Sequence, residues 1–96
     1  MIEITQQGEQ LLLTGELTRK TVNSTFEKKA AVLISKEIAS LNLAAVSRVD
    51  MAGLAWLLLI LEQAKKQRQD IHFINIPQEL FKLAKLSAVD TFLPTK

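Results

Sequence analysis

Short apolar runs of period two alternate along this chain with stripes of helical period, and that alternation restricts the fold more than any other feature. Ile2 and Ile4 alternate with Glu3 and Thr5, the pattern of a half-buried strand. Gln7-Gly8-Glu9 reads as a turn, and Leu11-Leu12-Leu13 as a second strand that ends at Thr14-Gly15. Two strands joined by so few polar residues predict an antiparallel hairpin. From Glu16 to Ser35 the spacing changes. Val22, Phe26, Ala30 and Leu33 recur at intervals of four and three, which predicts an amphipathic helix with Thr18 or Thr21 capping its start.

A third strand is expected over Ile38–Val46, centred on Ser40–Leu43, until Ser47-Arg48-Val49-Asp50 breaks the pattern. A second helix follows from Met51 to Gln67, then a fourth strand within Asp70–Ile76. Pro77 stops that strand and, as the first helical residue, opens a third helix over Gln78–Ser87 with Leu80, Leu83, Ala84 and Leu86 facing inward. The last nine residues carry Val89, Phe92 and Leu93 and are expected to fold back on the core as a short helical turn ended by Pro94.

The order β-β-α-β-α-β-α places the chain in the α/β class, with a mixed, mostly parallel sheet joined by right-handed crossovers. With 96 residues and no repeat, linker or low-complexity segment, one domain over residues 1–96 is expected.

Composition narrows function by exclusion. No cysteine is present, so a disulfide framework, a thiol nucleophile and a cysteine metal site are out, and a single histidine leaves no paired-histidine site. No metal, cofactor or catalytic residue is expected. Asp50, Glu16 and His72 are the only acid–base candidates, and His72 lies between two inward-pointing apolar residues, so it faces the other way. No phosphate-cradling glycine loop exists, since the only glycines are Gly8, Gly15 and Gly53. The net charge of +2 creates no field suited to nucleic acid. The N-terminus has no secretory signature, and the apolar run Met51–Leu61 is too short to span a bilayer.

Two features stand out. Asp50 is placed to cap the second helix, and small Ala52 and Gly53 allow either tight packing or the close approach of another chain or a phosphate. The first two turns of that helix are apolar all round. Leu54, Leu57, Leu58, Leu61 and Ala64 already complete one stripe, yet Ala55, Trp56, Leu59 and Ile60 are apolar too. Either the helix is sandwiched inside the fold, or its first half meets a partner, a second copy included.

The element order, Gly15-Glu16-Leu17 at the end of the second strand, and Val49-Asp50-Met51-Ala52-Gly53-Leu54 at the start of the second helix resemble a STAS domain over nearly the whole chain. That family includes bacterial anti-sigma-factor antagonists and the cytoplasmic tails of sulfate transporters. Leu43 to Asp50, Gly53-Leu54-Ala55, Ala64 to Gln67, Leu83 to Leu86 and Leu93-Pro94 are most similar to the small stand-alone STAS subunits of phospholipid ABC transporters.

The resemblance implies a non-catalytic cytoplasmic subunit that binds the transporter's ATPase, and through it the membrane permease, in a system maintaining outer-membrane lipid asymmetry. It lies against the inner membrane only through that partner. The alternative it allows is an anti-sigma-factor antagonist. The partner-binding residues implied are Arg48, Asp50, Met51, Ala52, Gly53 and Leu54, with Trp56 extending an exposed apolar patch and Phe26 either completing it or lying in the core. Regulatory members carry a phosphorylatable hydroxyl after the aspartate. Met51 and Ala52 stand there instead, so no phosphoswitch is possible at that turn.

Overall fold

The structure, a computed structural model, describes residues 1–34 and 37–93. Strands β1 (Ile2–Gln7), β2 (Gln10–Leu17), β3 (Ser40–Val49) and β4 (His72–Ile74) form one sheet in the order β1-β2-β3-β4. The β1–β2 hairpin is antiparallel, and β2–β3 and β3–β4 are parallel. Helices α1 (Ser24–Leu33) and α2 (Met51–Lys66) make the two crossovers, and α3 (Gln78–Leu86) with a short 3₁₀ turn at Asp90–Phe92 completes the chain. The expected order and pairing are those observed. Two crossovers of the same hand put α1 and α2 on one face of the sheet.

That face is the core. Ile4, Leu11, Leu13, Leu17, Leu41, Leu43, Val49 and Phe73 point into it and are buried. Glu3, Thr5, Thr14, Asn42 and His72 alternate with them and are exposed or half-buried on the other face. His72 therefore lies as its neighbours' burial predicts.

Several boundaries differ from the sequence expectation. β2 does not stop at Thr14-Gly15. Gly15 pairs with Ile2 at a φ of +109°, and the strand continues to Leu17. Glu16 is thus a strand residue rather than the first residue of the helix. A Cβ at Gly15 would overlap the Met1 carbonyl oxygen, so glycine serves close strand approach there rather than a turn. β3 likewise runs through Ser47 and Arg48, because Glu16 and Leu17 offer register partners for Arg48 and Val49. Two register shifts, between Leu12 and Thr14 and between Gly15 and Glu16, absorb the mismatch.

α1 begins later than expected, at Ser24, and its cap is Asn23, whose side chain accepts from the Phe26 amide at 3.0 Å. Neither threonine caps it. The Thr21 hydroxyl donates to the Glu16 carbonyl at 2.7 Å and accepts from the Thr18 amide at 2.9 Å, closing the loop that precedes the helix. The expected end of this helix, Ser35, lies outside the described residues. β4 is shorter than expected, and Pro77 occupies the N-cap of α3 rather than its first turn. Leu86, expected inside, is 84% exposed because α3 ends beside it. Leu93 is buried and Val89 half-buried, so the tail does fold back, but Phe92 points outward. Pro94 lies outside the described residues.

Candidate interaction site

β3 delivers its last residues to the start of α2, and Asp50 fixes the junction. One carboxylate oxygen, Oδ1, accepts from the amides of Ala52 at 2.9 Å and Gly53 at 3.1 Å. The other, Oδ2, accepts from the Arg19 amide at 3.0 Å, across the chain in the β2–α1 loop. The Asp50 amide in turn donates to the Leu17 carbonyl at 3.3 Å. The Arg19 amide, followed by those of Gly53 and Ala52 and the nearby Arg19 charge, outweighs desolvation and holds the carboxyl below its ordinary pKa. Asp50 is therefore the N-cap expected, and also a tie between two loops.

Gly53 sits where that tie is tightest. A Cβ there would overlap the Leu17 carbonyl oxygen and lie 2.9 Å from its carbon. The absent side chain lets α2 start directly against the end of β2.

The predicted apolar patch is only partly at the surface. Met51 is 52% exposed, Ala52 half-buried and Arg48 exposed. Leu54, Trp56 and Phe26 are 1%, 4% and 6% exposed and belong to the core, as does buried Gly53. The physical reason is the crossover itself. α2 lies on the sheet with Leu54 and Leu57 beneath it and turns Trp56 sideways onto α1. There the Trp56 and Phe26 rings meet at 4.9 Å between centroids, tilted by 56°. Of the two readings of the apolar helix start, burial accounts for most of it.

What remains outside is a different stripe. Met51, Ala55 and Leu59 follow one another at intervals of four and are exposed. The sequence carried that spacing, but the fuller stripe through Leu54 and Leu61 obscured it. Beside Met51, the Ser87 hydroxyl at the end of α3 approaches its sulfur at 3.7 Å. Further along α2, Leu58 and Leu61 form with Ile71, Val89 and Phe92 an apolar groove of about 440 Å³. At the helix start, Arg19, Lys20 and Arg48 line an open cleft of about 570 Å³ together with Glu16, Asp50, Met51 and Ala52. Arg19 and Lys20 were not among the residues singled out from the sequence, since they lie some thirty positions before Asp50 and only the fold joins them.

Of the three acid–base candidates, two share a cleft and the third is remote. Glu16 lines the cleft with Asp50, and the N-terminal amino group lies 3.9 Å from it. His72 pairs with Ser40 at the opposite end of β3, roughly 25 Å away by strand length. Among the described residues, no group of three or more metal-ligating side chains is gathered, and no helix is long and apolar enough to cross a membrane.

Comparison with known proteins agrees with this architecture. Residues 1–95 match the family described as "Mlab, STAS domain". The chain is 36% identical over 81 residues to the intermembrane phospholipid transport system binding protein MlaB of Escherichia coli K12, spanning 84% of this chain and 81% of that one, and equally to MlaB of Shigella flexneri. Among solved structures, it is similar to the anti-sigma factor antagonist SpoIIAA in its unphosphorylated form, with a TM-score of 0.64 at 15% identity over 99% of this chain and 86% of that chain. The phosphorylated form of the Bacillus protein gives a TM-score of 0.65 at 13% identity, over 100% and 91%. At such identity these likenesses speak for the fold alone. An α/β sheet of this order, the capped β3–α2 junction and a match over almost the full length converge on one assignment: the chain belongs to the MlaB family of STAS domains.

Proposed function

We propose that this chain is the non-catalytic binding subunit of an intermembrane phospholipid transport system that maintains outer-membrane lipid asymmetry. In this reading it is cytoplasmic and docks on the system's ABC-type ATPase, which links it to the membrane permease. The observation that carries the docking surface is the Asp50 junction. Its carboxylate is spent on three backbone amides, which holds Met51 and Ala52 outward on a rigid helix start with Arg48 at the rim. A preorganised surface of this kind loses little freedom on binding. Rim charges such as Arg48 set register and association rate more than raw affinity. Similarity to the phospholipid transport system binding proteins supports the choice of partner.

Met51 and Ala52 offer no hydroxyl, so docking at this turn is constitutive rather than phosphate-gated. A subunit seated on an ATPase changes its activity only by binding one of its conformations better than another.

The test is affinity capture of the tagged chain from its native cells, with mass spectrometry of what accompanies it. An ABC ATPase with its permease is expected. Arg48→Glu or Ala52→Trp is expected to lower that recovery about tenfold while the melting curve of the isolated domain stays unchanged. Recovery of a kinase-like anti-sigma factor in place of the ATPase overturns the reading.

A further inference from the structure

Oxidants find few targets on this chain. It holds no cysteine and two methionines, Met1 and Met51. Among the described residues, no hydrogen bond reaches the Met1 sulfur. Met51 is different. It is exposed at the first position of α2, so a small solute reaches its sulfur. The Ser87 hydroxyl donates to that sulfur at 3.7 Å.

The backbone holds Ser87 in place. Its amide donates to the Leu83 carbonyl at 3.1 Å, and the amides of Ala88 and Val89 close the end of α3 on Lys85 and Ala84. At the start of α3, Glu79 accepts from the Val49 amide at 2.9 Å, which ties that helix to the end of β3. The donor is therefore fixed, but its acceptor is poor. A thioether sulfur accepts weakly. Among the described residues the Ser87 hydroxyl has no other partner. An oxygen bonded to the same sulfur is a far stronger acceptor and lies within reach of the same hydroxyl.

We propose that Met51 is a site of reversible oxidation to the sulfoxide, and that Ser87 holds the product. The oxidant is a hydroperoxide, with hydrogen peroxide as its simplest member. A lone pair of the sulfur attacks one peroxide oxygen, and the S–O bond forms as the O–O bond breaks. The departing hydroxide takes the proton from the new S–OH group and leaves as water. Sulfur gives up two electrons and the peroxide gains them. A methionine sulfoxide reductase reverses the step at the expense of thiols.

The product is polar and chiral where the thioether was apolar. Its bond to Ser87 draws the side chain toward α3, and its oxygen removes Met51 from an apolar contact. The proposal rests on the docking reading above and adds a means of ending the contact. A turn with no hydroxyl for a kinase offers an oxidant a thioether instead. A docked partner covers the sulfur, so the free subunit is the form that oxidises.

The test treats the purified, tagged chain with hydrogen peroxide and then removes the peroxide. Peptide mass mapping is expected to find one added oxygen on Met51, with Trp56 emission and circular dichroism unchanged. The oxidised chain is expected to melt above oxidised Ser87→Ala by more than the two reduced chains differ. Recovery of the ATPase from fresh lysate is expected to fall about tenfold and to return after reductase treatment. Recovery by Met51→Leu, whatever its starting level, is expected not to change with peroxide. An unmodified Met51 beside an oxidised Met1 overturns the proposal. So do equal melting differences in the oxidised and reduced pairs, or recovery that oxidation leaves unchanged. A loss shared by Met51→Leu assigns the effect to Met1 and overturns it too. An untreated chain that recovers no ATPase sinks the docking reading and the loss of docking with it. The modification site is then decided by the melting comparison alone.

Discussion

Among the described residues, Asp50 accepts hydrogen bonds only from backbone amides, and it does so from two segments far apart in sequence. Replacing it with alanine frees two amides in the first turn of α2 and one in the β2–α1 loop. Asp50→Ala is expected to lose about 1–2 kcal/mol, which lowers the melting temperature by several degrees in a domain of this size. The sign of the pH effect follows from the depressed pKa. Stabilisation by the charged carboxylate is fully present above the ordinary aspartate range near pH 4 and is lost as pH falls through the lower, folded value. Melts of wild type and Asp50→Ala are therefore expected to differ most at pH 7 and to draw together near pH 3. A gap that stays constant across that range would show that the charge contributes nothing beyond the cap.

At the scale of elements, the ends of helices carry the departures from ordinary propensity. α3 closes with Val89 donating to the Ala84 carbonyl at 2.8 Å and Ala88 donating to that of Lys85 at 3.0 Å. Ala88 takes the left-handed conformation at a φ of 58°, the position where helices favour glycine. Ala88→Gly is expected to stabilise the domain by about 1 kcal/mol, measured by denaturant unfolding. A loss of stability instead would mean that the Ala88 methyl makes contacts that outweigh the strain. The strands show a different limit. A glycine usually reads as punctuation, and at Gly8 that reading holds. At Gly15 the same residue serves close approach inside a strand, and no local signal separates the two uses. Ser47 and Arg48 likewise look like a break, but pairing with β2 keeps them extended.

At the scale of the whole molecule, one tryptophan and no tyrosine make fluorescence a clean report on the packing of α2 against α1. Trp56 is 4% exposed, in contact with Phe26. Thermal unfolding followed by its emission and by far-ultraviolet circular dichroism is expected to give coincident, two-state transitions. An emission change that precedes the loss of helix would show the α1–α2 contact to be loose, and would reopen Trp56 as a surface residue. Substitutions at Trp56, Phe26 or Leu54 therefore test the core. Those at Met51, Ala52 and Arg48 test the surface.

The order of the elements, the parallel crossovers and the Asp50 cap were legible in the residues themselves. Each rests on local physics: apolar period, turn chemistry, or a carboxylate one residue before a helix. The absence of a hydroxyl at Met51 and Ala52 was equally plain. Tertiary structure alone decided which apolar side chains of α2 face solvent. Periodicity gives directions around a helix, but it does not say what occupies the space in each direction. Here the sheet and α1 take Leu54 and Trp56, and leave Met51, Ala55 and Leu59. Only the fold, too, brings Arg19 and Lys20 beside Arg48, because the β2–α1 loop reaches the start of α2 through the hydrogen bond from the Arg19 amide to the Asp50 carboxylate, which no sequence spacing encodes.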